Sequence, residues 1–163
     1  MVIRFLKARE KDAEILAQVS RLAFDDDIHY GFPGTGGPVG YDSPTWQRRM
    51  MHIADYYKII LEKRIIGGII VFEKKARNCE LGRIFIEPEY QNQGIGAQAI
   101  AFLYHTYPLT KRWTLGTPAW NMRNRHFYRK VGFTEIGEDG HGGVLFERYT
   151  PAHDPETNLT VKL

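Results

Sequence analysis

The sequence has a single cysteine, no long apolar run and only a small excess of positive charge. Because Cys79 stands alone among 163 residues, an intramolecular disulfide is excluded and a reducing compartment is expected. The longest nearly apolar run, Ile65 to Phe72, is far too short to span a bilayer, and the charged N-terminus lacks the apolar region of a signal peptide. We therefore expect a cytoplasmic protein with no membrane partner.

The charge balance and the histidine spacing argue against two further classes of partner. The chain carries 22 Lys+Arg against 19 Asp+Glu, and the resulting net charge of +3 is too small to indicate nucleic acid. The six histidines show no ligand spacing such as His-Glu-x-x-His, so no metal is expected. The length indicates one domain, and the aromatic content of 13% excludes general disorder.

Hydrophobic periods and chain breakers divide the sequence into short strands and helices. Helices are expected after Asp12 as N-cap and after Ser43 as N-cap, with Pro44 at the first helical position. Two further helices are expected after the turn over 91–96 and over 121–131. Strand patterns cover 2–6, 57–61, 65–72, 79–86, 113–117, 133–136 and 144–149. An early hairpin followed by a strand–helix–strand unit predicts a mixed sheet with one parallel crossover. Residues 25–43 hold too many Gly and Pro for either regular element.

The most informative segment is the glycine-rich turn from Gln91 to Gly96, which follows a strand that ends before Pro88. Backbone N–H groups at a helix start are unpaired and bind an anion, usually a phosphate. No Gly-Lys-Ser/Thr follows, which excludes a P-loop, and the third glycine of a dinucleotide fingerprint is missing. Taken alone, a Gly-x-Gly turn is more often a tight connection without a ligand.

Two motifs together resemble the GNAT N-acetyltransferase superfamily. The first, Gln91-x-x-Gly94-x-Gly96, is similar to its acetyl-CoA-binding motif. The second is similar to the helix that carries the family's second signature, here Asn121 followed by Phe127-Tyr128-x-Lys130-x-Gly132-Phe133. The resemblance implies one domain over 1–149, followed by a polar tail over 150–163. It also implies an α/β fold of mixed α+β type: a central, mostly antiparallel twisted sheet with a V-shaped gap between two parallel central strands, flanked by about four helices.

The resemblance also implies where acetyl-CoA, the expected cosubstrate, binds. In the family, the amides of the turn hold the pyrophosphate, and the pantetheine arm pairs with the preceding strand as an added strand would. The implied contacts are Ile84, Phe85, Ile86, Gln91, Asn92, Gln93, Gly94, Ile95, Gly96, Asn121, Tyr128 and Lys130. Asn121 is also compatible with a plain helix N-cap.

The family's chemistry implies two catalytic candidates, because the amine attacks acetyl-CoA directly and the thiolate must be protonated as it leaves. Tyr128 matches the family's tyrosine in the second role, and a phenol can donate that proton. Glu80 lies on the strand where some members carry a glutamate base, although a structural ion pair is an equal alternative. Strand alternation places Cys79 opposite Glu80, so Cys79 is expected to be a buried hydrophobe and not a nucleophile.

The glycine-rich stretch over 25–43 contains acids and aromatics but no Lys or Arg. Within it, Asp26, Asp27 and Tyr30 are expected to bind a small cationic amine by ion pairing and cation–π contact, with a solvated loop as the alternative. Two other functions stay open: a non-catalytic acyl-CoA-binding module, and an acetyltransferase for a macromolecular acceptor (a protein amine or aminoacyl-tRNA). A homodimer is compatible with the sequence, which does not fix the oligomeric state.

The net charge is unevenly distributed along the chain. Residues 111–130 carry basic side chains and no acidic ones: Lys111, Arg112, Arg123, Arg125, Arg129 and Lys130. This block is interpreted as a solvated helix face, part of which can meet the phosphates of CoA.

Overall fold

The structure is a computed structural model that describes residues 2–150 as one twisted sheet with helices on both faces. The tail is expected over 150–163, of which residues 151–163 lie outside the described residues. The strands are β1 (Ile3–Lys7), β2 (Asp55–Leu61), β3 (Arg64–Lys74), β4 (Asn78–Ile86), β5 (Arg112–Pro118), β6 (Thr134–Glu138) and β7 (Gly143–Tyr149). The helices are α1 (Ala13–Asp25), α2 (Pro44–Ile53), α3 (Ile95–Thr106) and α4 (Met122–Lys130).

The strand order in the sheet is β1-β2-β3-β4-β5-β7-β6. In the described part of the chain, β4 and β5 form the one parallel pair, and the other neighbours are antiparallel. A parallel pair needs a crossover connection, which α3 supplies between β4 and β5. The predicted mixed and mostly antiparallel sheet with four helices is confirmed.

The core has two layers, one on each face of the sheet. On one face, α1 and α2 cover Tyr56, Ile70 and Phe85 with side chains that include Leu16 and Met50. On the other face, α3 and α4 cover a larger cluster in which Trp113, Phe146, Ile95, Leu103 and Tyr128 are buried. Strands buried on both faces explain why β3 reads as a nearly continuous apolar run.

Local signals placed most element boundaries correctly, with two differences in detail. The Ser43 hydroxyl accepts a hydrogen bond from Trp46 N at 3.1 Å, as expected of an N-cap. The Asp12 carboxylate does not cap α1; it accepts hydrogen bonds from Arg9 N and Lys58 Nζ, each at 2.8 Å. Residues Asp26–Tyr30, expected to be irregular, form a 3₁₀ helix that ends at Gly31.

A β-bulge at Gly82 changes the direction of side chains along β4. In the register with β3, Ile70 faces Arg83 and Val71 faces Leu81, so Gly82 is the extra residue. Only glycine fits there, because a Cβ at Gly82 would lie 2.5 Å from the Phe72 ring. As a result, Glu80 and Arg83 lie on the same face of the sheet although they are an odd number of residues apart.

Candidate active site

The central feature of the site is the separation of β4 from β5. The two strands pair only at Asn78–Arg112, Cys79–Trp113 and Glu80–Thr114, although they continue to Ile86 and Pro118. Beyond these pairs the strands diverge, which forms the V-shaped gap expected from the sequence. The backbone edge of β4 that faces the gap therefore lacks a strand partner and can pair with an extended ligand.

The turn between β4 and α3 has the conformation of an anion-binding loop. Asn92 and Gly94 both adopt left-handed conformations, with φ of 61° and 80°. Gln91 fixes the turn to β4, because its amide nitrogen donates to the Ile86 carbonyl at 2.8 Å. Gly94 is the N-cap of α3 and provides no capping side chain, and a Cβ there would meet nothing within 4 Å. The turn thus presents the first N–H groups of α3 to open space.

The start of α3 also packs closely on α4. A Cβ at Gly96 would lie 2.9 Å from the Phe127 ring, so glycine permits this contact. The V-shaped gap, the turn and α4 together enclose a cleft of about 470 Å³. Most of the residues expected to contact acetyl-CoA line this cleft: Ile84, Phe85, Ile86, Gln91, Asn92, Gly94, Ile95, Gly96, Tyr128 and Lys130.

Two of the expected contact residues are not among those that line the cleft. The Gln93 amide donates to the Glu89 carbonyl at 3.1 Å and is exposed. Asn121 is buried and accepts a hydrogen bond from Asn124 N at 3.0 Å. The position of Asn121 agrees with the N-cap alternative, since its side-chain oxygen satisfies an N–H group at the start of α4.

Tyr128 lies in the wall of the cleft with its ring held by other aromatics. Its side chain packs against Phe133 and Phe146, with ring centroids 6.0 and 5.9 Å away. Within residues 2–150 its hydroxyl has no hydrogen-bond partner, and burial raises the pKa of this phenol above its ordinary value. Tyr128 can therefore act as a protonated donor toward a group in the cleft.

Glu80 and Cys79 lie at the narrow end of the gap. Glu80 forms an ion pair with Lys74, its side chain is 36% exposed, and it is not part of the cleft wall. The structure thus separates Glu80 from Tyr128, the other expected catalytic residue. Cys79 is buried beside the Thr110 hydroxyl, with its sulfur 3.2 Å from Oγ1, and burial raises the pKa of the thiol.

Arg123, at the start of α4, binds the acids that were expected to bind substrate. Its guanidinium donates to Asp27 at 3.0 Å, lies 3.9 Å from Asp26 and stacks 3.7 Å from the centroid of the Tyr30 ring. It also donates to the Gln91 side chain at 2.7 Å. Burial raises the pKa of the Asp27 carboxyl, and Arg123 opposes that rise.

This arrangement changes the charge that was expected beside the cleft. Asp27 lines the cleft, whereas Asp26 and Tyr30 contact Arg123 and are not part of the lining. The loop over 25–43 contains four acids and no Lys or Arg of its own, and Arg123 offsets one of these negative charges. No local pattern in the sequence connects positions 27 and 123.

The basic block over 111–130 is also largely neutralised within the protein. Arg112 pairs with Glu147, and both Arg125 and Arg129 pair with Glu135. Lys130 lines the cleft and forms no ion pair in the part of the chain that the structure describes. Lys130 is therefore the member of the block that is best placed to meet a negatively charged ligand.

Among residues 2–150, no three His, Cys, Asp or Glu side chains form a group that could hold a metal ion. In the same range, none of the helices combines the length and the apolar character that a membrane crossing requires.

Comparison with known proteins places the chain in a family. YrkN of Bacillus subtilis, an uncharacterized protein, is 31% identical over 99 residues, which are 60% of this chain; the match spans about half (54%) of that relative. The paiA N-acetyltransferase of Thermoplasma acidophilum, solved with coenzyme A, superposes with a TM-score of 0.78 at 20% identity, covering 92% of this chain and all of that one. An acetyltransferase of Thermus thermophilus also superposes with a TM-score of 0.78, at 16% identity. The match covers 92% of this chain and 98% of that one. The model of the acetyltransferase (GNAT) domain matches residues 52–135, more than half of the sequence. The chain therefore belongs to the GNAT acetyltransferase family.

Proposed function

We propose that the protein is an N-acetyltransferase that moves the acetyl group of acetyl-CoA to a primary amine within a ternary complex. The observation that carries this proposal is the V-shaped gap, which has an anion-binding turn at its wide end and Tyr128 in its wall. A relative of the same fold has been solved with coenzyme A, which supports the choice of cosubstrate.

The shape and polarity of the cleft fit acetyl-CoA. The pyrophosphate would accept hydrogen bonds from the amides of the turn over 91–96, in the open space beside Gly94. The pantetheine arm would pair with the free edge of Ile84–Ile86, which also directs a β4 N–H at the acetyl carbonyl oxygen. Lys130 adds a positive charge at the same cleft.

The proposed reaction consumes one amine and one acetyl-CoA and yields an N-acetyl amide and the CoA thiol. The amine lone pair forms the new C–N bond, the C–S bond breaks, and the thiolate takes a proton from the Tyr128 hydroxyl. The amine loses one proton to solvent or to a base, and the phenolate is reprotonated from solvent, so charge balances over the cycle. General-acid catalysis of this kind contributes about 10²- to 10⁴-fold in rate.

The identity of the base remains part of the proposal. Glu80 would have to act through water, because it is paired with Lys74 and lies outside the cleft wall. A chain of water molecules without a single protein base is the alternative, and it requires no movement of Glu80. We propose a small-molecule amine as the acceptor, although Arg123 pairs with Asp26 and Asp27, the two acids that favoured a cationic one.

Two measurements on the purified protein test the proposal. Calorimetric titration measures whether CoA binds, and a thiol reagent measures CoA release when acetyl-CoA is mixed with a panel of amines and amino acids. Tyr128→Phe should keep CoA binding and lose most turnover, whereas Tyr149→Phe, at the end of β7, should behave as the wild type.

Each of the other outcomes favours a different function. Tight CoA binding without turnover of any small amine, peptide N-terminus or aminoacyl-tRNA would favour the non-catalytic module. Turnover confined to peptides or to aminoacyl-tRNA would favour the macromolecular acceptor. Absence of CoA binding would contradict all three functions.

A further inference from the structure

Arg83 occupies a position that no role described so far explains. It follows the bulge at Gly82 and directly precedes Ile84, the first cleft residue of β4. Its side chain lies on the face of the sheet that α1 and α2 cover. The guanidinium carbon is 4.2 Å from the centroid of the Trp46 ring and 5.8 Å from that of Phe24, a residue that itself lines the cleft.

The charge of Arg83 is not compensated within the described protein. Its Nη2 donates to the Val39 carbonyl at 3.2 Å, but its Nη1 is buried and has no hydrogen-bond partner. No carboxylate among residues 2–150 forms an ion pair with Arg83. Burial lowers the pKa of Arg83 to about 10, because removal from water disfavours the charged form. A guanidinium offers five N–H donors, and one neutral carbonyl leaves most of its capacity unused.

Three acids of the loop over 25–43, which supplies the Val39 carbonyl, have other partners, and Glu80 pairs with Lys74. Asp25 accepts a hydrogen bond from the Tyr41 hydroxyl at 3.0 Å, and Asp26 and Asp27 face Arg123. A half-buried cation that keeps its charge without a partner is costly to the fold. Such a cost is typical of a residue that serves a ligand.

The residues that hold Arg83 are themselves fixed by close contacts. Gln47 is fully buried, and its amide donates to the carbonyls of Gly40 and Tyr41 at 3.2 and 3.4 Å. Gly40 packs directly on Trp46, where a Cβ would lie 2.0 Å from the ring. The Trp46 ring thus covers one face of the Arg83 guanidinium. The segment that precedes Gly40 contacts the guanidinium through the Val39 carbonyl.

We propose that Arg83 binds a carboxylate of the acceptor, so that the acceptor is an amine that also carries an acid group, such as an amino acid. The carboxylate replaces the Val39 carbonyl and takes two parallel N–H bonds from the guanidinium, a geometry that suits a planar fork held on an aromatic ring. Because Phe24, 5.8 Å from the guanidinium, also lines the cleft, the amine end of such an acceptor would reach the cleft past this ring. This inference rests on the proposed function, since it assigns a substrate class to that site.

Direct binding of a carboxylate tests the inference without turnover. The full chain, saturated with CoA, is titrated with a panel of N-acetyl amino acids and with their matched carboxamides, with heat and tryptophan fluorescence as readouts. At least one acid is expected to bind saturably, and its carboxamide at least tenfold more weakly. Binding of acid and carboxamide with equal affinity, or of no acid at all, would overturn the inference.

Three variants assign that binding to Arg83. Arg83→Gln should weaken acid binding at least tenfold and abolish the preference for acid over carboxamide. Arg83→Lys should give an intermediate affinity, because an ammonium keeps the charge but not the fork. Arg49→Gln, which removes an exposed arginine from the helix that carries Trp46, should remain within twofold of the wild type. An Arg83→Gln variant that still prefers the acid would refute the assignment.

Two further readouts keep the result interpretable. Arg83→Gln should melt no lower than the wild type in the absence of ligand, because it removes an uncompensated charge; a large drop in Tm would identify Arg83 as structural and overturn the inference. CoA affinity should be unchanged in every variant. A wild-type protein that binds CoA and acetylates only amines without an acid group would contradict this inference and leave the proposed function intact.

Discussion

Gly94 adopts a left-handed conformation at the point where the phosphate of acetyl-CoA is proposed to bind. Replacing it with alanine costs about 1–2 kcal/mol of left-handed strain, offset by about 0.4–1 kcal/mol from reduced freedom of the unfolded chain. No clash adds to this, since a Cβ there meets nothing within 4 Å. We therefore expect a net loss of about 1 kcal/mol, which lowers the Tm of a domain this size by about 2–4 °C.

The effect of Gly94→Ala on ligand binding should be larger than its effect on folding. The new methyl group would occupy the space that the phosphate oxygens need. The loss of one charge-assisted hydrogen bond costs about 1.5–3 kcal/mol, and each 1.4 kcal/mol corresponds to about a tenfold change in Kd. Calorimetric titration should thus show CoA binding weakened by about 10- to 100-fold.

Gly140 provides a matched control for this variant. It has a φ of 79°, against 80° for Gly94, and a Cβ there also meets nothing within 4 Å. Gly140 lies between β6 and β7, outside the cleft lining, so Gly140→Ala should carry the same folding cost and bind CoA normally. Equal CoA affinities in the two variants would refute phosphate binding at the turn.

Four further predictions concern catalysis and the acceptor loop. Tyr128→Phe should lower kcat by about 10²- to 10⁴-fold in the thiol-release assay. Burial raises the pKa of the Tyr128 phenol, so the phenol stays protonated through its ordinary titration range. The pH profile of kcat should therefore show no fall near about pH 10. A fall near this pH that disappears in Tyr128→Phe would contradict the raised pKa. Glu80→Gln should change kcat by less than about threefold, since Glu80 pairs with Lys74 outside the cleft; a drop comparable to that of a general base would restore Glu80 to that role. Gln47→Leu should lower the free energy of unfolding by about 1–3 kcal/mol for each buried group left unpaired. It should also raise the acceptor KM, because Gln47 binds the carbonyls of Gly40 and Tyr41. An unchanged melting curve would show that Gln47 does not hold this segment.

The turn and helix ends around the proposed cofactor cleft could be predicted from the sequence because their signals are local. Pro88 follows the end of β4, Gly94 permits the left-handed N-cap of α3, and Gly132 follows the end of α4. Each of these residues acts within a few positions of the boundary that it marks. The cleft wall consequently contains most of the residues that were expected in it.

The contacts of the proposed acceptor half could not be predicted because they join distant positions. Arg123 reaches Asp27 across 96 residues, and Arg83 reaches Val39 across 44. The charge counted over residues 25–43 does not include Arg123, which lies against this loop only in the folded protein. The alternation along β4 placed Cys79 and Glu80 on opposite faces, but it could not place Arg83, because the bulge at Gly82 shifts the phase.

The sheet is continuous only through the three residue pairs that join β4 to β5. This junction divides the sheet into a half of four strands and a half of three. Longer antiparallel ladders hold the strands within each half together, so each half can behave as a cooperative unit of its own. A ligand that fills the gap contacts both halves, and at one hundred times its Kd it stabilises the folded chain by about 2.7 kcal/mol. Amide hydrogens over 81–86 and 115–117 should then exchange more slowly. The lifetime of this protein against proteolysis would thereby follow the supply of its own cosubstrate.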